Sequence, residues 1–209
     1  MLNIRVPSQQ FLEYYLSEEK VIAQECVEPC FFTWIVSPTV IYGKHQIKEQ
    51  EMDVSFCKSH NIRIVQRESG GGCVYADEGN LMISMIIPST HSERVFSSLM
   101  GMLAAGLVEL GYPAVATEHN DILICGSKVS GSACYLCYGK TIVHSTMLYN
   151  VNFEMLQKAI TPSRDKLAKH AVQSVRQRVC NLVDIKDLGA ISDFRNLIED
   201  YLIRCIPSY

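Results

Sequence analysis

Hydrophobic residues spaced three and four positions apart predict helices near both ends of the chain and one long helix in the middle. The first helix is predicted over residues 8–24, with Ser8 as its N-cap. The middle helix is predicted over residues 92–110, because Gly111 and Pro113 follow it as stop signals. Three more helices are predicted over residues 153–160, 164–170 and 193–206, the last behind Ser192 as its cap.

Runs rich in β-branched and aromatic residues predict the strands between these helices. They cover residues 31–36, 39–43, 62–68, 73–77 and 81–87, then three strands or strand–loop units at 115–124, 127–136 and 140–149. The run 81–87 is apolar almost throughout, which is typical of a central strand. Antiparallel-looking runs of strands with helices at both ends predict an α+β fold, in which mixed, largely antiparallel sheets pack with helices. We expect residues 1–209 to form a single domain.

Composition and charge narrow the class of protein. With 48% hydrophobic and 20% charged residues, the chain is typical of an ordered globular domain. It has neither the roughly 20 apolar residues of a membrane span nor the apolar core of a signal peptide, so we expect a cytoplasmic protein without a membrane partner. A net charge of −3 disfavours a nucleic-acid partner. Five cations between Arg164 and Arg178 indicate a surface for a phosphate or an acidic partner, or else a solvated helix face.

Nine cysteines without a secretion signal indicate reduced thiols. The pairs Cys26/Cys30 and Cys134/Cys137 have the spacing of zinc ligands, and together they could supply four thiolates. However, Tyr135-Leu136 lacks the turn residues of a zinc knuckle, and several other cysteines stand among apolar neighbours, as small core residues do. The spacing alone therefore favours core thiols over zinc.

A glycine-rich segment between two predicted strands is the first candidate for chemistry. Gly70-Gly71-Gly72 needs a backbone that bends sharply or lets a ligand approach closely. Unblocked N–H groups in such a segment can hold an anion, and the Arg67 guanidinium ahead of it could fork onto phosphate or carboxylate oxygens. The alternative is a wide hairpin turn with no ligand.

Lys128 is the second candidate, because small residues lie on both sides of it, Gly126-Ser127 before and Ser130-Gly131-Ser132 after. A lysine on such a permissive backbone can reach across a pocket as a compact charge, although most lysines are simply solvated. Asn120-Asp121 supplies an amide and a carboxylate that suit Mg²⁺ beside phosphates, or a β-turn. His144 stands in an alternating strand, as a core histidine or as a pocket wall.

Each signal is weak alone, but their order and spacing resemble one family over nearly the whole chain. The chain resembles the catalytic domain of the lipoate-protein ligase A family, within the biotin/lipoate protein ligases. The residues that carry the resemblance are Trp34 and Val40-Ile41-Tyr42-Gly43-x-x-Gln46; Arg67-x-x-Gly70-Gly71-Gly72-x-Val74 with Asp77 and Gly79-Asn80; Asn120-Asp121; Lys128-Val129-Ser130-Gly131-Ser132-Ala133; His144 with Thr146 and Leu148; and Lys166-Leu167 with Ser174-Val175-Arg176-x-Arg178-Val179-x-Asn181-Leu182.

The resemblance implies a biotin/lipoate ligase-like fold and a two-step reaction. Lipoate attacks the α-phosphate of Mg-ATP, and the lipoyl-adenylate then acylates a lysine of an apo lipoyl domain, in a 2-oxoacid dehydrogenase complex or the glycine cleavage H protein. Lys128 would be the catalytic residue, by stabilising charge on the phosphate and acyl oxygens, and Asp121 would favour Mg²⁺. The implied ATP and lipoyl-adenylate site consists of Arg67, Gly70, Gly71, Gly72, Cys73, Val74, Tyr75, Asn120, Lys128, Gly131 and His144.

The chain also departs from the family's pattern. Gln66-Arg67 stands where the family often has paired arginines, Ala76-Asp77 replaces a His-Asp, and Val143 and Ser145 flank His144 where the family usually reads His-His-Gly. Many bacterial members carry a further small domain after the catalytic one, which this chain is expected to lack. A separate accessory subunit is therefore among the expected partners.

The alternative function is an acyltransferase that moves a lipoyl or octanoyl group between carrier proteins. Some relatives of this kind use a cysteine thioester. Cys134 and Cys137 follow the Lys128 segment closely, and Lys128 or His144 could lower the pKa of a catalytic thiol. The sequence leaves lipoate and octanoate undistinguished, because an apolar pocket separates close analogues poorly.

Overall fold

The computed structural model describes residues 1–8, 10–118, 121–160 and 179–205, which form an α+β fold, as predicted. The helices are α1 Leu12–Glu25, α2 Lys48–Glu51, α3 Val54–Ser59, α4 Ser92–Glu109, α5 Phe153–Ala159, α6 Leu182–Ile185 and α7 Ile191–Arg204. The strands are β1 Leu2–Asn3, β2 Cys30–Trp34, β3 Thr39–Tyr42, β4 Arg63–Gln66, β5 Val74–Ala76, β6 Asn80–Ile87, β7 Ala114–Ala116, β8 Asp121–Ile124, β9 Ser127–Cys137 and β10 Lys140–Leu148. No described helix is long and apolar enough to cross a membrane.

The larger sheet has the strand order β1-β2-β6-β10-β9-β8-β7. Neighbouring strands of this sheet pair antiparallel, except that β1 runs parallel to β2. Every residue of β6 is buried, which confirms the predicted central strand over 81–87. Such a strand reads as continuously apolar because both of its faces are covered.

The smaller sheet has the order β4-β3-β5, in which β3 pairs parallel with β4 and antiparallel with β5. The strands predicted on either side of Ser37-Pro38 therefore belong to different sheets. The hairpin-turn interpretation of Gly70-Gly71-Gly72 is wrong, because β4 and β5 lie on opposite sides of β3 and do not pair with each other. The glycine segment instead crosses the end of β3.

The two faces of the larger sheet bury separate cores. On one face, residues including Ile83, Val143 and Leu103 pack between the sheet, α4 and α7. On the other face, residues including Trp34, Ile142 and Val65 pack between the sheet, α1 and the smaller sheet. This second face forms the wall of the candidate site.

Helix ends were predicted less well than helix positions. The first helix begins at Leu12 behind Phe11, so Ser8 is not its N-cap. The last begins at Ile191 behind Ala190, not after Ser192, and the Asp193 carboxylate accepts the Ala190 N–H at 2.9 Å. The short helices α2, α3 and α6 were missed because fewer than two turns show no usable periodicity. The helix predicted over 164–170 lies outside the described residues.

Candidate active site

A cavity of about 250 Å³ lies between the larger sheet, α1 and the glycine segment. Its apolar lining comes from α1, β2, β3, β5 and β6, and its polar lining comes mainly from β8, β9 and β10. The lining residues are Leu12, Leu16, Trp34, Ile41, Arg67, Gly71, Gly72, Cys73, Val74, Met82, Asp121, Lys128, Gly131, Ser132, Ala133, His144 and Thr146. A mostly apolar cavity with a few converging polar groups is typical of a small-molecule site.

Sheet register explains why residues far apart in sequence meet in this cavity. Asp121 pairs with Gly131, Gly131 with Thr146, and Thr146 with Met82, which makes one row across four strands. In the next row, His144 stands between Ala133 and Ser84. Because side chains at every second position share a face, both rows point towards α1.

Lys128 is held across the cavity by Asp121. The Lys128 Nζ lies 2.6 Å from Asp121 Oδ1, and the lysine side chain remains 25% exposed. A Cβ atom at Gly131 would lie only 3.0 Å from Lys128 Cε, so the glycine predicted as a site residue leaves room for the lysine. The structure therefore brings together three of the predicted residues as one unit.

Arg67 holds the glycine segment instead of pointing its free fork into the cavity. Its Nη2 donates to the carbonyl oxygens of Gly70 and Gly72 at 2.8 and 2.7 Å, its Nη1 to Ile41 O, and its Nε to Ser69 Oγ. Burial lowers the pKa of the guanidinium from its ordinary value. The expected forking onto a ligand anion is not the arrangement seen here, because backbone carbonyls already take these donors.

The other predicted ligand-binding residues that the structure describes divide into three groups. Gly71, Gly72, Cys73 and Val74 line the cavity, as does His144, which supports the pocket-wall interpretation of that histidine. Gly70 lies beside the cavity and contributes its carbonyl to Arg67. Tyr75 is buried in a different cluster with Val40 and Cys57, on the far side of the smaller sheet, so its side chain is not part of the cavity. Asn120 and the basic strip 164–178 lie outside the described residues.

A buried acidic residue beside the cavity, Glu19, was missed in the sequence. Its side chain is fully buried, and its carboxylate lies 3.3 Å from His144 Nδ1, while His144 Nε2 lies 2.6 Å from Ser69 Oγ. The sequence does contain a signal for this residue. The buried positions of α1 are Leu12, Tyr15, Glu19 and Ala23, so Glu19 is a charged residue at a position where helical spacing predicts an apolar one. A buried carboxylate needs partners, so its position marks a polar network.

The cysteines do not assemble a metal centre in the described part of the chain. All nine are free thiols, and no three described His, Cys, Asp or Glu side chains converge as ligands. Burial raises the pKa of Cys30 to about 12 and also raises the pKa of Cys134. Burial therefore favours the neutral thiol form of Cys30 and Cys134 over the thiolate.

Comparison with known proteins shows which families and structures this chain is similar to. The model of one family, described as the lipoyl protein ligase A/B catalytic domain, matches residues 9–203. A curated relative, lipoate–protein ligase 1 of Staphylococcus aureus, is 32% identical over 184 residues, which is 87% of this chain and 56% of that protein. The chain spans about half the length of the curated relatives it matches.

Solved structures share the fold. A crystal structure of lipoate-protein ligase A bound with ATP superposes with a TM-score of 0.81 at 24% identity, covering 96% of this chain and 83% of that one. A bipartite lipoate protein ligase from Thermoplasma acidophilum, studied with its E2 lipoyl domain, superposes with a TM-score of 0.77 at 26% identity, covering 96% and 80% of the two chains. The predicted fold class is thereby confirmed.

Proposed function

The chain belongs to the lipoyl protein ligase A/B catalytic domain family, and on that premise we propose that it is an ATP-dependent lipoate–protein ligase. It would activate lipoate with ATP as lipoyl-adenylate, releasing pyrophosphate, and pass the lipoyl group to a lysine of an apo lipoyl domain, releasing AMP. The observation that carries this proposal is the Lys128–Asp121 pair, at 2.6 Å, in a cavity walled by the glycine segment and by apolar side chains. The match over residues 9–203 supports one catalytic domain.

The cavity offers each substrate a chemically matched surface. Leu12, Leu16, Trp34 and Ile41 would contact the aliphatic chain and the ring of lipoate, whose burial is favourable. The backbone of Gly71 and Gly72 would lie against the nucleotide, because glycine lets a ligand approach the main chain closely. The two substrates would then meet where Lys128 crosses the cavity.

Lys128 would act by charge and not as a nucleophile. Attack of the lipoate carboxylate on the α-phosphate builds negative charge on the phosphoryl oxygens, and attack of the acceptor amine later builds it on the acyl oxygen. A fixed ammonium group beside both atoms stabilises each transition state. On binding, Lys128 Nζ would exchange its contact with Asp121 for these oxygens. The nucleophile in the second step comes from the acceptor protein, so this chain needs none of its own.

Asp121 fits a Mg²⁺ ion by the chemistry of its oxygens. Mg²⁺ is typically held by one or two carboxylates together with substrate phosphates, and the Asp121 carboxylate lines the cavity beside Lys128. When bound with ATP, the ion neutralises part of the triphosphate charge. Asp121 would thus have two tasks, to hold Lys128 in the free protein and to face the metal-bound nucleotide afterwards.

The proposed acceptors are the apo lipoyl domains of 2-oxoacid dehydrogenase complexes and the glycine cleavage H protein. The structure of the Thermoplasma ligase was studied with its E2 lipoyl domain, which supports a partner of this class. A separate accessory subunit is a second proposed partner, which the bipartite lipoate protein ligase from Thermoplasma acidophilum supports by its similarity to this chain.

The test is the intact mass of an apo lipoyl domain after incubation with this protein, lipoate and Mg-ATP. We expect an increment of one lipoyl group. Lys128→Ala should lower the rate of acyl-adenylate formation by about 100-fold or more, because it removes the cation from the developing charge. Lys58→Ala, which changes an exposed lysine on α3, should keep the activity of the unmodified protein.

Two results would contradict the proposal. One is normal acyl-adenylate formation by Lys128→Ala, which would remove Lys128 from the mechanism. The other is the absence of ATP-dependent lipoylation, together with transfer of an octanoyl group from a carrier protein without ATP. That outcome would establish the acyltransferase alternative.

A further inference from the structure

A continuous chain of hydrogen bonds joins a buried carboxylate on α1 to the glycine segment. Glu19 Oε1 lies 3.3 Å from His144 Nδ1, and His144 Nε2 lies 2.6 Å from Ser69 Oγ. Ser69 Oγ accepts Arg67 Nε–H at 3.0 Å, and Arg67 Nη2 donates to the carbonyls of Gly70 and Gly72. This chain of hydrogen bonds thus runs from α1 through β10 to the glycine segment, which lines the cavity.

The Glu19 carboxylate accepts hydrogen bonds from three side chains. Ser84 Oγ donates to Glu19 Oε1 at 2.6 Å, since the Ser84 oxygen is already taken as acceptor by Trp34 Nε1–H at 2.9 Å. Tyr135 OH donates to Glu19 Oε2 at 3.1 Å. An ionised carboxylate, which accepts at both oxygens and donates nothing, can receive Ser84, Tyr135 and His144 together.

The direction of each bond then sets the proton positions on His144. Arg67 Nε can only donate, so the Ser69 hydroxyl hydrogen must go elsewhere, and His144 Nε2 is its acceptor. His144 Nδ1 consequently carries the ring hydrogen and donates it to Glu19. A doubly protonated ring would donate to Ser69 as well, and no other described hydrogen bond gives the Ser69 hydrogen an acceptor. This order of donors and acceptors corresponds to a His144 ring that carries its hydrogen on Nδ1.

The two ends of this chain of hydrogen bonds carry opposite charges. Glu19 is 0% exposed and Arg67 is 6% exposed, so a buried anion and a buried cation are linked through a neutral histidine and a serine. A buried charge is costly without such compensation. The groups that face His144 are Glu19 from α1, Tyr135 from β9, and Ser69, which Arg67 contacts, from the residues just before the glycine segment. Glu19 at one end and Arg67 at the other thereby determine which way the hydrogen bonds between them point.

The geometry superficially resembles a Ser-His-acid nucleophile triad, but the serine is not placed to attack. Ser69 is 1% exposed and is not among the residues that line the cavity. Its oxygen already accepts the Arg67 N–H. An attacking hydroxyl must reach its substrate, so the arrangement serves positioning and not covalent catalysis.

We propose that Glu19 is a positioning residue, whose carboxylate accepts the Nδ1–H of His144 and, through Ser69 and Arg67, holds the glycine segment in the shape that receives the nucleotide. The role in catalysis rests on the proposed function. The hydrogen-bond order itself does not, because it follows from the donors and acceptors of the free protein.

The first experiment records the ¹⁵N–¹H long-range spectrum of the protein with ¹⁵N-labelled histidine at neutral pH, with His144→Asn used to assign the signal. We expect the unmodified protein to show a neutral His144 ring with the hydrogen on Nδ1. In Glu19→Gln a neutral amide oxygen replaces the carboxylate as acceptor, so the Nδ1–H hydrogen bond should weaken and the Nδ1–H proton signal should move upfield. An imidazolium or Nε2–H ring in the unmodified protein, or an unchanged spectrum in Glu19→Gln, would overturn the proposal.

The second experiment measures the steady-state kinetics of acyl-adenylate formation and the affinity for ATP. We expect Glu19→Gln and Ser69→Ala each to lower kcat/KM by about tenfold or more, since small misplacements of a binding segment can cost this much. The double variant should have a kcat/KM no lower than that of the more impaired single variant, because both substitutions break the same chain of hydrogen bonds. Glu25→Gln, the same substitution at an exposed position of α1, is the matched control and should be unaffected.

The outcomes separate the two proposals. A changed His144 spectrum with unchanged kcat/KM in Glu19→Gln, or fully multiplicative effects of Glu19→Gln and Ser69→Ala, would refute the positioning role. If instead the unmodified protein lipoylates no acceptor and forms no adenylate, the proposed function fails. The spectrum and the ATP affinity of Glu19→Gln would still decide whether the carboxylate orders the glycine segment.

Discussion

Gly43 shows how closely the glycine segment is packed at the level of single atoms. A Cβ atom at this position would lie 2.5 Å from the Gly71 carbonyl oxygen and 3.3 Å from Arg67 Nη2. The first of these is a backbone atom, which cannot rotate away as a side chain can. Gly43 therefore lets the end of β3 lie directly against the cavity-lining segment, and the requirement is steric.

Gly43→Ala should displace the glycine segment. We expect ATP affinity and the rate of adenylate formation to fall about tenfold or more, and the free energy of unfolding to fall by about 1–3 kcal/mol through overpacking. Titration of ATP by calorimetry and urea unfolding would measure the two effects.

Gly101→Ala is the matched control, because a Cβ atom there meets nothing within 4 Å in the exposed interior of α4. Helix propensity predicts that this substitution raises the free energy of unfolding by about 0.5–1 kcal/mol and leaves ATP affinity unchanged. Equal effects of Gly43→Ala and Gly101→Ala would show that the contact with Gly71 is unimportant.

At the scale of elements, the two faces of β9 separate the cavity from Cys134, which is one of the two candidates for a catalytic thiol. Ala133 pairs with His144 and lines the cavity. Cys134, the next residue along, points to the opposite face and packs with Val143 in the core against α4. Burial raises the pKa of the Cys134 thiol, whereas a nucleophilic cysteine needs a lowered pKa.

The structure therefore predicts that Cys134→Ser retains at least half of the acyl-transfer rate. Cys137→Ser should do the same, because Cys137 pairs with Lys140 at the far end of the strand and does not line the cavity. Intact mass of the acceptor domain measures the rate for both variants. Loss of transfer in either one, with an acyl-thioester adduct on the unmodified protein, would revive the thioester route.

At the scale of the whole molecule, hydrogen bonds to one buried glutamate join the last helix to the first strands. Glu199 on α7 receives hydrogen bonds from Asn3, Arg5, Thr33 and Arg195. Burial alone would raise the pKa of Glu199. The hydrogen bonds from Thr33, Arg195 and Asn3 and the charge of Arg195 outweigh burial and leave the pKa below its ordinary value.

A lowered folded-state pKa gives the sign of the pH dependence. The unfolded chain binds the proton more tightly, so the stabilisation by Glu199 is complete above the ordinary carboxyl pKa, about 4.5, and is lost as the pH falls through the lower folded value. Glu199→Gln should lower the free energy of unfolding by about 2–3 kcal/mol at pH 7, and the difference should shrink below pH 4.5.

Urea unfolding between about pH 3 and pH 8 measures this difference, because the range covers the titration of carboxyl groups near about pH 4 and the plateau above it. Glu109→Gln is the control, since the Glu109–Arg204 ion pair is exposed and should contribute little at any pH. A Glu199→Gln deficit that stays constant down to the acid limit would show that the carboxylate charge is not the cause.

The sequence by itself was sufficient for the features that depend on neighbouring residues. The apolar run 81–87 predicted a central strand, which β6 confirms. The long helix over 92–110 matches α4 to within one residue. The small residues around Lys128 indicated a lysine with room to reach, and Gly131 supplies that room. Such features are local, because hydrophobic periodicity and steric freedom act over a few residues.

Only the tertiary structure decided what these residues touch. Glu19 and His144 are 125 positions apart, and their contact depends on α1 covering the row that sheet register makes from His144, Ala133 and Ser84. The same packing turned Arg67 towards the glycine carbonyls and Tyr75 away from the cavity. The physical reason is that a residue's own pattern determines its element and its face, whereas its partner depends on which strand or helix lies opposite that face, and this follows from the chain as a whole.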